Sequence, residues 1–183
     1  METYVTTEQL QASLAYIKKS PGDNCIVEMI VIRPDVDQRK IIQEGYLDID
    51  KGLIGDNWYT KGSSKTKDES SHPDMQLNIM NSRCISRIAK NKERWQLAGD
   101  QLFIDMDLSY KNLPTGTQLI IGAATIEITT IPHNGCKKFA QRFGTDAVKF
   151  VNSPDGKIYH LRGINAKIIR SGKIKVGDIV TKK

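Results

Sequence analysis

The feature that most constrains the fold is the stretch TQLIIGAATIEITTI at residues 117–131. Apolar and β-branched residues fill both of its halves, and the small pair Gly122-Ala123 separates them. This composition around a short turn predicts a β-hairpin. Because an isolated hairpin cannot bury its apolar side chains, the rest of the chain must supply further strands or a covering helix.

Further strand patterns are spread along the chain. They fall at residues 25–33, 40–50, 76–80, 101–108 and, with breaks at Gly163 and near Gly172, at 157–180. So many short strands with few helices predict a mainly β fold, a β-barrel or a strongly bent sheet.

Helical patterns are short. Residues 6–19 carry apolar side chains at helical spacing behind a Thr6–Gln9 capping box, and Pro21 follows them. Further short helices are predicted at 81–91 and, divided at Gly144, at 137–153.

The first helix precedes every strand pattern, so we expect residues 1–22 to form an N-terminal helical extension appended to a β domain at 23–183. The polar stretch 58–74 is rich in serine and lysine and predicts a mobile loop.

Composition narrows the class of protein. A chain of 183 residues can bury a core without disulfides, and its net charge of +6 favours an anionic partner such as a small-molecule substrate. The basic residues are scattered, so nucleic acid is not expected. The sequence contains no run of 18 apolar residues, so a membrane-spanning helix is not expected. Three separated cysteines and no signal-peptide pattern predict a cytoplasmic protein with reduced thiols.

Cys136 is the strongest candidate for a functional residue. It follows Gly135, which permits an unusual backbone angle, and it precedes Lys137, Lys138 and Arg142 at the start of a predicted helix. Cations and a helix amino terminus lower the pKa of a thiol and favour the thiolate. The competing interpretation is a small buried hydrophobe. That interpretation is favoured for Cys25 and Cys84, which lie in apolar patterns.

Other catalytic patterns are weak. The single His133–Cys136 pair lacks the second close pair of a structural zinc site. No GxSxG or phosphate-loop spacing occurs. A cysteine–histidine hydrolase stays open because His133 lies three residues from Cys136.

Two further motifs have a structural and a functional interpretation. The motif GLIGDNW at residues 52–58 fits a tight turn with an aspartate cap at Asp56. Arg162, beside Gly163, fits either a surface charge or a side chain that binds a planar anion in a cleft.

Taken in order, four segments resemble one family. GLIGD, AGDQLF, the long stretch NLPTGTQLIIGAATIEITTIPHNGC and the closing RGINAKIIRSGKIKVGDIV are similar to the MOSC domain, which is named after the carboxy-terminal part of molybdenum-cofactor sulfurase. The resemblance covers about residues 25–180 and is greatest to small, stand-alone bacterial members.

The resemblance implies a compact β-barrel that binds molybdenum cofactor (molybdopterin) and reduces N-hydroxylated compounds with electrons from an external partner. It implies that Cys136 is the metal ligand, and we expect Cys136 and His133 to be the catalytic residues. The remaining residues expected to bind the cofactor and its phosphate are Gly55, Asp56, Lys137, Lys138, Arg142 and Arg162.

Three positions depart from the family pattern. Asn57 stands where a basic residue is common, Gln101 where asparagine is common, and Gly135 where proline is common. These changes leave two alternatives open, a persulfide carrier and a non-catalytic module that binds an anion or a protein. Pyridoxal phosphate is not expected, because family sulfurases bind it in a separate domain.

Overall fold

The computed structural model of the chain describes residues 4–183. Within these residues the strands are β1 (Cys25–Ile32), β2 (Lys40–Ile42), β3 (Glu44–Asp48), β4 (Gly52–Leu53), β5 (Leu77–Asn81), β6 (Leu102–Ile104), β7 (Gln118–Ile121), β8 (Ala124–Ile128), β9 (Ile164–Arg170), β10 (Gly172–Lys175) and β11 (Ile179–Lys182). The helices are α1 (Thr7–Ile17), α2 (Trp58–Lys61), α3 (Ser82–Ala89), α4 (Lys137–Phe143), α5 (Thr145–Asn152) and α6 (Pro154–Ile158), with 3-10 turns at Pro73–Met75 and Lys92–Ala98.

Seven of the described strands close into a barrel in the order β1, β11, β7, β8, β9, β5, β6 and back to β1. The pairings are antiparallel except between β5 and β6, which run parallel. Strand β2 extends β1 beyond the barrel, and β10, β3 and β4 form a small separate sheet. Closure leaves few unpaired strand edges. The predicted mainly β, barrel-like fold is confirmed.

Alternation along the strands builds two hydrophobic cores in the described part of the chain. In β6, Leu102 and Ile104 point into the barrel, whereas Phe103 points outward. The outer core packs α1, α3, α4 and α5 against the barrel wall. These four helices therefore share one core outside the barrel, and α4 carries the residues that follow Cys136.

Several predicted elements are confirmed. Helix α1 begins at a capping box in which Gln9 N–H donates to Thr6 Oγ1 and Thr6 N–H donates to Gln9 Oε1. Its buried face consists of Leu10, Leu14 and Ile17. The hairpin β7–β8 turns at Gly122-Ala123, and helices α4 and α5 separate at Gly144. Residues 1–3 lie outside the described range, and the domain division after residue 22 stays a prediction.

Other elements differ from the prediction. Residues 40–50 form two strands rather than one, and the pattern at 101–108 yields only the three residues of β6. The strand expected from residue 157 begins at Ile164, because α6 occupies the preceding stretch. Pro154 and the cap from Ser153, which accepts from Gly156 N–H at 3.0 Å, start that helix.

The stretch 58–74 contains α2 and a 3-10 turn and is tied to itself by hydrogen bonds. The hydroxyl of Ser71 donates to the carbonyl oxygens of Trp58 and Tyr59 at 2.9 and 2.7 Å. Across residues 4–183, no helix combines the length and apolar character needed to cross a membrane.

Candidate functional site

Cys136 is exposed and is the residue that immediately precedes α4, with an extended backbone. Three hydrogen bonds hold the segment that leads to it. Thr129 N–H donates to the Asn165 carbonyl, the Asn165 side chain donates to the Ile131 carbonyl at 2.9 Å, and Gly135 N–H donates to Asn152 Oδ1 at 2.9 Å. A fixed loop therefore presents the thiol at the protein surface.

Gly135 is explained by packing rather than by an unusual backbone angle. Its φ is not among the positive values. A Cβ atom at this position would lie 2.9 Å from Cγ2 of Val151 in α5. Asn152 also brackets the residue, since its side chain bonds both the N–H and the C=O of Gly135. The absence of a side chain lets the loop pack closely on α5.

The other two cysteines are buried. Burial raises the pKa of Cys25 to about 11 and raises the pKa of Cys84 further. Their sulfurs lie 3.4 Å from the Pro21 carbonyl and 3.3 Å from the Leu161 carbonyl. Both are structural thiols, and Cys136 is the accessible one among the three.

A buried polar cluster lies beside the cysteine loop. Arg162 donates to Asp100 Oδ2 at 2.7 Å and to the Ala98 carbonyl at 2.8 Å, and its guanidinium stacks on the ring of Phe139 in α4 at 4.8 Å. His133 Nδ1 lies 3.5 Å from Asp100 Oδ1. The prediction of Arg162 as a surface charge is wrong, because Asp100 balances its charge in the interior.

This cluster has unused hydrogen-bonding capacity. Asp100 Oδ1, His133 Nδ1 and Arg162 Nε are buried without a hydrogen-bond partner among the described residues. Burial raises the pKa of Asp100, and Arg162 opposes that effect. Burial, together with the charges of Arg162, Arg33 and Lys65, holds the pKa of His133 well below its ordinary value. His133 is therefore a neutral imidazole at pH 7.

The side chain of Asp56 is fully buried, and its carboxylate is occupied by contacts within the protein. The Arg33 side chain donates two hydrogen bonds to this carboxylate, from Nε at 2.8 Å and from NH2 at 2.7 Å. The backbone N–H groups of Arg33 and Trp58 also donate to it, at 2.9 and 3.0 Å. The bond from Trp58 confirms the predicted aspartate cap. Gly55 has φ +90, a backbone conformation that favours glycine, and this conformation explains why a glycine stands at this position of the turn.

The basic residues of α4 that were predicted to bind the cofactor lie in two different environments. Lys138 and Arg142 form ion pairs with Asp37 at 3.2 and 3.0 Å, and Arg142 also donates to the Leu97 carbonyl at 2.9 Å. Lys137 is exposed and has no ion-pair partner among the described residues. Cofactor contacts of these residues stay predictions.

Sequence reasoning missed two arginines, Arg33 and Arg39. Arg33 donates to the Gly99 carbonyl at 3.2 Å, and the half-buried Arg39 leaves its Nε without a partner. The pKa of Arg39 is lowered by burial and by the nearby charges of Arg142 and Arg33. We call the group formed by Arg33, Arg39, Arg142 and Arg162 around residues 97–100 the arginine cluster.

Gln101, which departs from the family pattern, is a structural crosslink. Its side chain accepts from Asn78 N–H at 2.8 Å and donates to the Gln76 carbonyl at 3.1 Å. In residues 4–183, no group of three or more His, Cys, Asp or Glu side chains is placed to hold a metal ion. The site thus combines one exposed thiol, a neutral histidine and a cationic surround that suits an anion.

Comparisons with solved structures agree on the fold. The YuaD protein from Bacillus subtilis superposes with a TM-score of 0.63 at 14% identity, over 86% of this chain and 94% of that one. YiiM from Escherichia coli gives a TM-score of 0.55 at 18% identity, over 86% and 69% of the two chains. YiiM from Geobacillus stearothermophilus gives 0.57 at 12% identity, over 87% and 75%.

A search of curated proteins finds no match. The sequence model of the MOSC domain, however, matches residues 66–181, which is more than half of the chain and includes both the cysteine loop and the closing strands. Together with the closed barrel, this match identifies the protein as a member of the MOSC domain family.

Proposed function

We propose that the protein binds molybdenum cofactor through the Cys136 thiolate and reduces N-hydroxylated compounds with electrons from an external partner. The observation that carries this proposal is the exposed thiol at the start of α4, on the same helix that contacts the arginine cluster. His133 lies three residues before the thiol and reaches the same cluster through Asp100.

The residues present fit such a cofactor. A thiolate is a soft ligand for a metal that also carries sulfur ligands. Five cations, the arginine cluster and Lys138, face the carboxylates of Asp37, Asp56 and Asp100, so the site carries excess positive charge for a phosphate. Arg39 is the leading phosphate contact, since its buried Nε still lacks a partner.

The reaction balances as R–NHOH + 2e⁻ + 2H⁺ → R–NH₂ + H₂O. When bound, the molybdenum centre supplies the two-electron chemistry that breaks the N–O bond, and the electrons come from a separate redox protein. The chain itself must exclude water, orient the substrate and deliver protons.

His133 suits proton delivery. Its imidazole is neutral, and its Nδ1 faces Asp100 Oδ1 at 3.5 Å, so the ring can give up a proton from one nitrogen while the other is reprotonated. Arg162 fixes Asp100 through the 2.7 Å ion pair and thereby sets the position of that carboxylate. Asp100 is thus a positioning residue for His133.

The test measures molybdenum and pterin per chain in protein purified from a host that makes the cofactor. Wild type should hold close to one of each, Cys136→Ala should lose most of the metal, and the buried-cysteine control Cys25→Ala should keep it. Absence of metal and pterin from wild type, or full metal content in Cys136→Ala, would contradict the proposal.

A variant of Arg39 tests binding of the cofactor phosphate separately from metal ligation by Cys136. Arg39→Gln keeps a polar, hydrogen-bonding side chain but removes the charge, and we expect it to lower pterin content without changing the reactivity of the Cys136 thiol. Lys173→Gln, at a surface ion pair with Glu44 far along the sequence, serves as the charge control. Equal pterin loss in both variants would refute a specific role for Arg39.

Exposure of Cys136 also favours a second candidate, a persulfide carrier, because a carrier thiol must dock against its donor. Mass spectrometry of freshly purified protein supplied with a cysteine desulfurase would then show one added sulfur on Cys136 that a thiol reductant removes. A metal-loaded protein with no such adduct excludes the carrier.

A further inference from the structure

A cavity of about 650 Å³ is lined in part by the loop that leads to Cys136. Its walls come from the loop after β8, the start of β9, the end of α5, helix α6 and residues 110–115. Its volume falls within the range of small-molecule sites. His133 and Asn134 line it, but Cys136 does not. The Cys136 side chain is therefore not part of the cavity wall.

The floor of the cavity is apolar. Leu113, Ile128, Val151 and Ile164 line it, and each is at most 4% exposed. An apolar floor in a concave site favours a ligand with an apolar body.

The rim of the cavity carries cationic and neutral polar groups. Lys157 is exposed there and has no ion-pair partner among the described residues. None of the described residues that line the cavity is an aspartate or a glutamate. An anionic group on a ligand would thus meet an available ammonium and no carboxylate.

His160 adds a fixed polar group to the rim. Its φ is +46, a conformation that is uncommon for a residue with a side chain. Its Nδ1 lies 2.7 Å from the Leu108 carbonyl oxygen, so Nδ1 carries the proton and donates it. The Nε2 atom is left for another partner, and it accepts in the neutral ring and donates in the protonated one.

We propose that this cavity is a second binding site, which takes a small molecule with an apolar body and one anionic group held by Lys157. The proposal does not rest on the molybdenum function, since Cys136 is not among the lining residues. Because His133 and Asn134 belong to one wall, occupancy of the cavity would also restrain the loop that carries the thiol.

A matched pair of fluorescent probes tests the proposal. 8-Anilinonaphthalene-1-sulfonate carries the apolar body and an anion, whereas N-phenyl-1-naphthylamine has the same body without the charge. We expect native protein to bind the sulfonate at one site per chain and several-fold more tightly than the neutral probe. Equal affinity for the two probes would overturn the anionic part of the proposal.

Two variants locate the site. Lys157→Ala should weaken sulfonate binding about fivefold and leave the neutral probe unaffected. Thr130→Trp places an indole at an exposed position of the cavity wall and should weaken both probes about tenfold or more. Lys149→Ala, an exposed lysine of α5 outside the lining, is the charge control.

Cys136→Ala tests independence from the thiol, and it should bind both probes within about twofold of wild type. Near-ultraviolet circular dichroism of Lys157→Ala, Lys149→Ala and Cys136→Ala should match wild type, since the sulfonate probe also binds partly unfolded protein. Thr130→Trp adds a chromophore, so its fold is checked by cooperative urea unfolding instead. Binding that ignores Thr130→Trp, or that disappears in Cys136→Ala, would refute a separate site in this cavity.

Discussion

Cys136 differs from the other two cysteines in what surrounds its sulfur. Its side chain is exposed, whereas Cys25 and Cys84 are buried and have a raised pKa. The thiolate is the reactive form, so a raised pKa and burial both slow the reaction with an external disulfide. The sequence could separate these classes because apolar strand and helix patterns surround Cys25 and Cys84, and a polar loop surrounds Cys136.

We therefore expect 5,5′-dithiobis(2-nitrobenzoate) to modify one thiol per native chain rapidly at pH 8 and three thiols in denaturant. Cys136→Ser should abolish the rapid phase, and Cys25→Ala should leave it intact. The release of the coloured thiolate measures each phase. A rapid phase that survives in Cys136→Ser would place the accessible thiol elsewhere.

His133 gives the protein a specific dependence of stability on pH. Its pKa in the folded state lies well below the value of about 6.5 in an unfolded chain. As the pH falls through about 6.5, the unfolded chain takes up a proton that the folded protein does not bind. The contribution of His133 to stability is therefore present above that pH and declines below it.

His133→Gln removes this titration and leaves Asp100, Arg162, Arg33 and Lys65, the charged groups that act on the ring, in place. The free energy of unfolding of wild type relative to the variant should decline between pH 7 and pH 5, by at most about 1.4 kcal/mol per pH unit. Urea unfolding at several pH values measures the difference. A difference that stays constant would show that His133 titrates normally.

The buried pair of Asp100 and Arg162 marks the limit of sequence reasoning about single residues. The two positions lie 62 residues apart, and the AGD and RG motifs around them do not show that they meet. Arg39 was missed for the same reason, since its neighbours Arg33 and Arg142 come from a strand end and from α4. Long-range charge clusters depend on topology, which spacing along the chain does not encode.

Among the elements, those with a local cause were predictable. The capping box starts α1, Gly144 with φ +88 separates α4 from α5, and the hairpin turns at Gly122. Helix α6 was missed although Ser153 and Pro154 are ordinary signals for a helix start. The apolar residues after it favoured a strand, and tertiary packing moved the start of that strand to Ile164.

The junction before β9 depends on the close approach of Gly163 to β5. Gly163 has φ +110, and a Cβ atom there would collide with the carbonyl oxygen of Ile79. Gly116 also has a positive φ, +88, but a Cβ atom there would meet nothing within 4 Å. The two glycines share the backbone requirement and differ in the space around them.

Gly163→Ala should therefore destabilise the protein by about 1–3 kcal/mol more than Gly116→Ala, because the extra methyl group must displace backbone in the barrel wall. Urea unfolding of both variants against wild type measures the difference. Equal losses would mean that β5 and β9 can separate at no cost, contrary to the packing of this junction.

The whole molecule is held together by strands that serve two cores at once. Leu102 and Ile104 of β6 belong to the barrel interior, while Phe103 between them belongs to the outer core with α1. Leu10 of α1 and Leu119 of β7 are both fully buried, one in each core. Because β6 contributes side chains to both cores, loss of packing in either core should weaken the other.

We accordingly expect Leu10→Ala and Leu119→Ala each to cost about 2–5 kcal/mol and to shift one common unfolding transition. Tryptophan fluorescence, which reports on Trp95 in the outer core and on Trp58 in α2, and far-ultraviolet circular dichroism should give coincident curves for both variants. A Leu10→Ala variant that loses α1 in a separate early transition would instead show that residues 1–22 fold independently of the barrel. Coincident curves would mean that the extension, although it precedes every strand, is part of the cooperative unit that holds α4 and the cysteine loop in place.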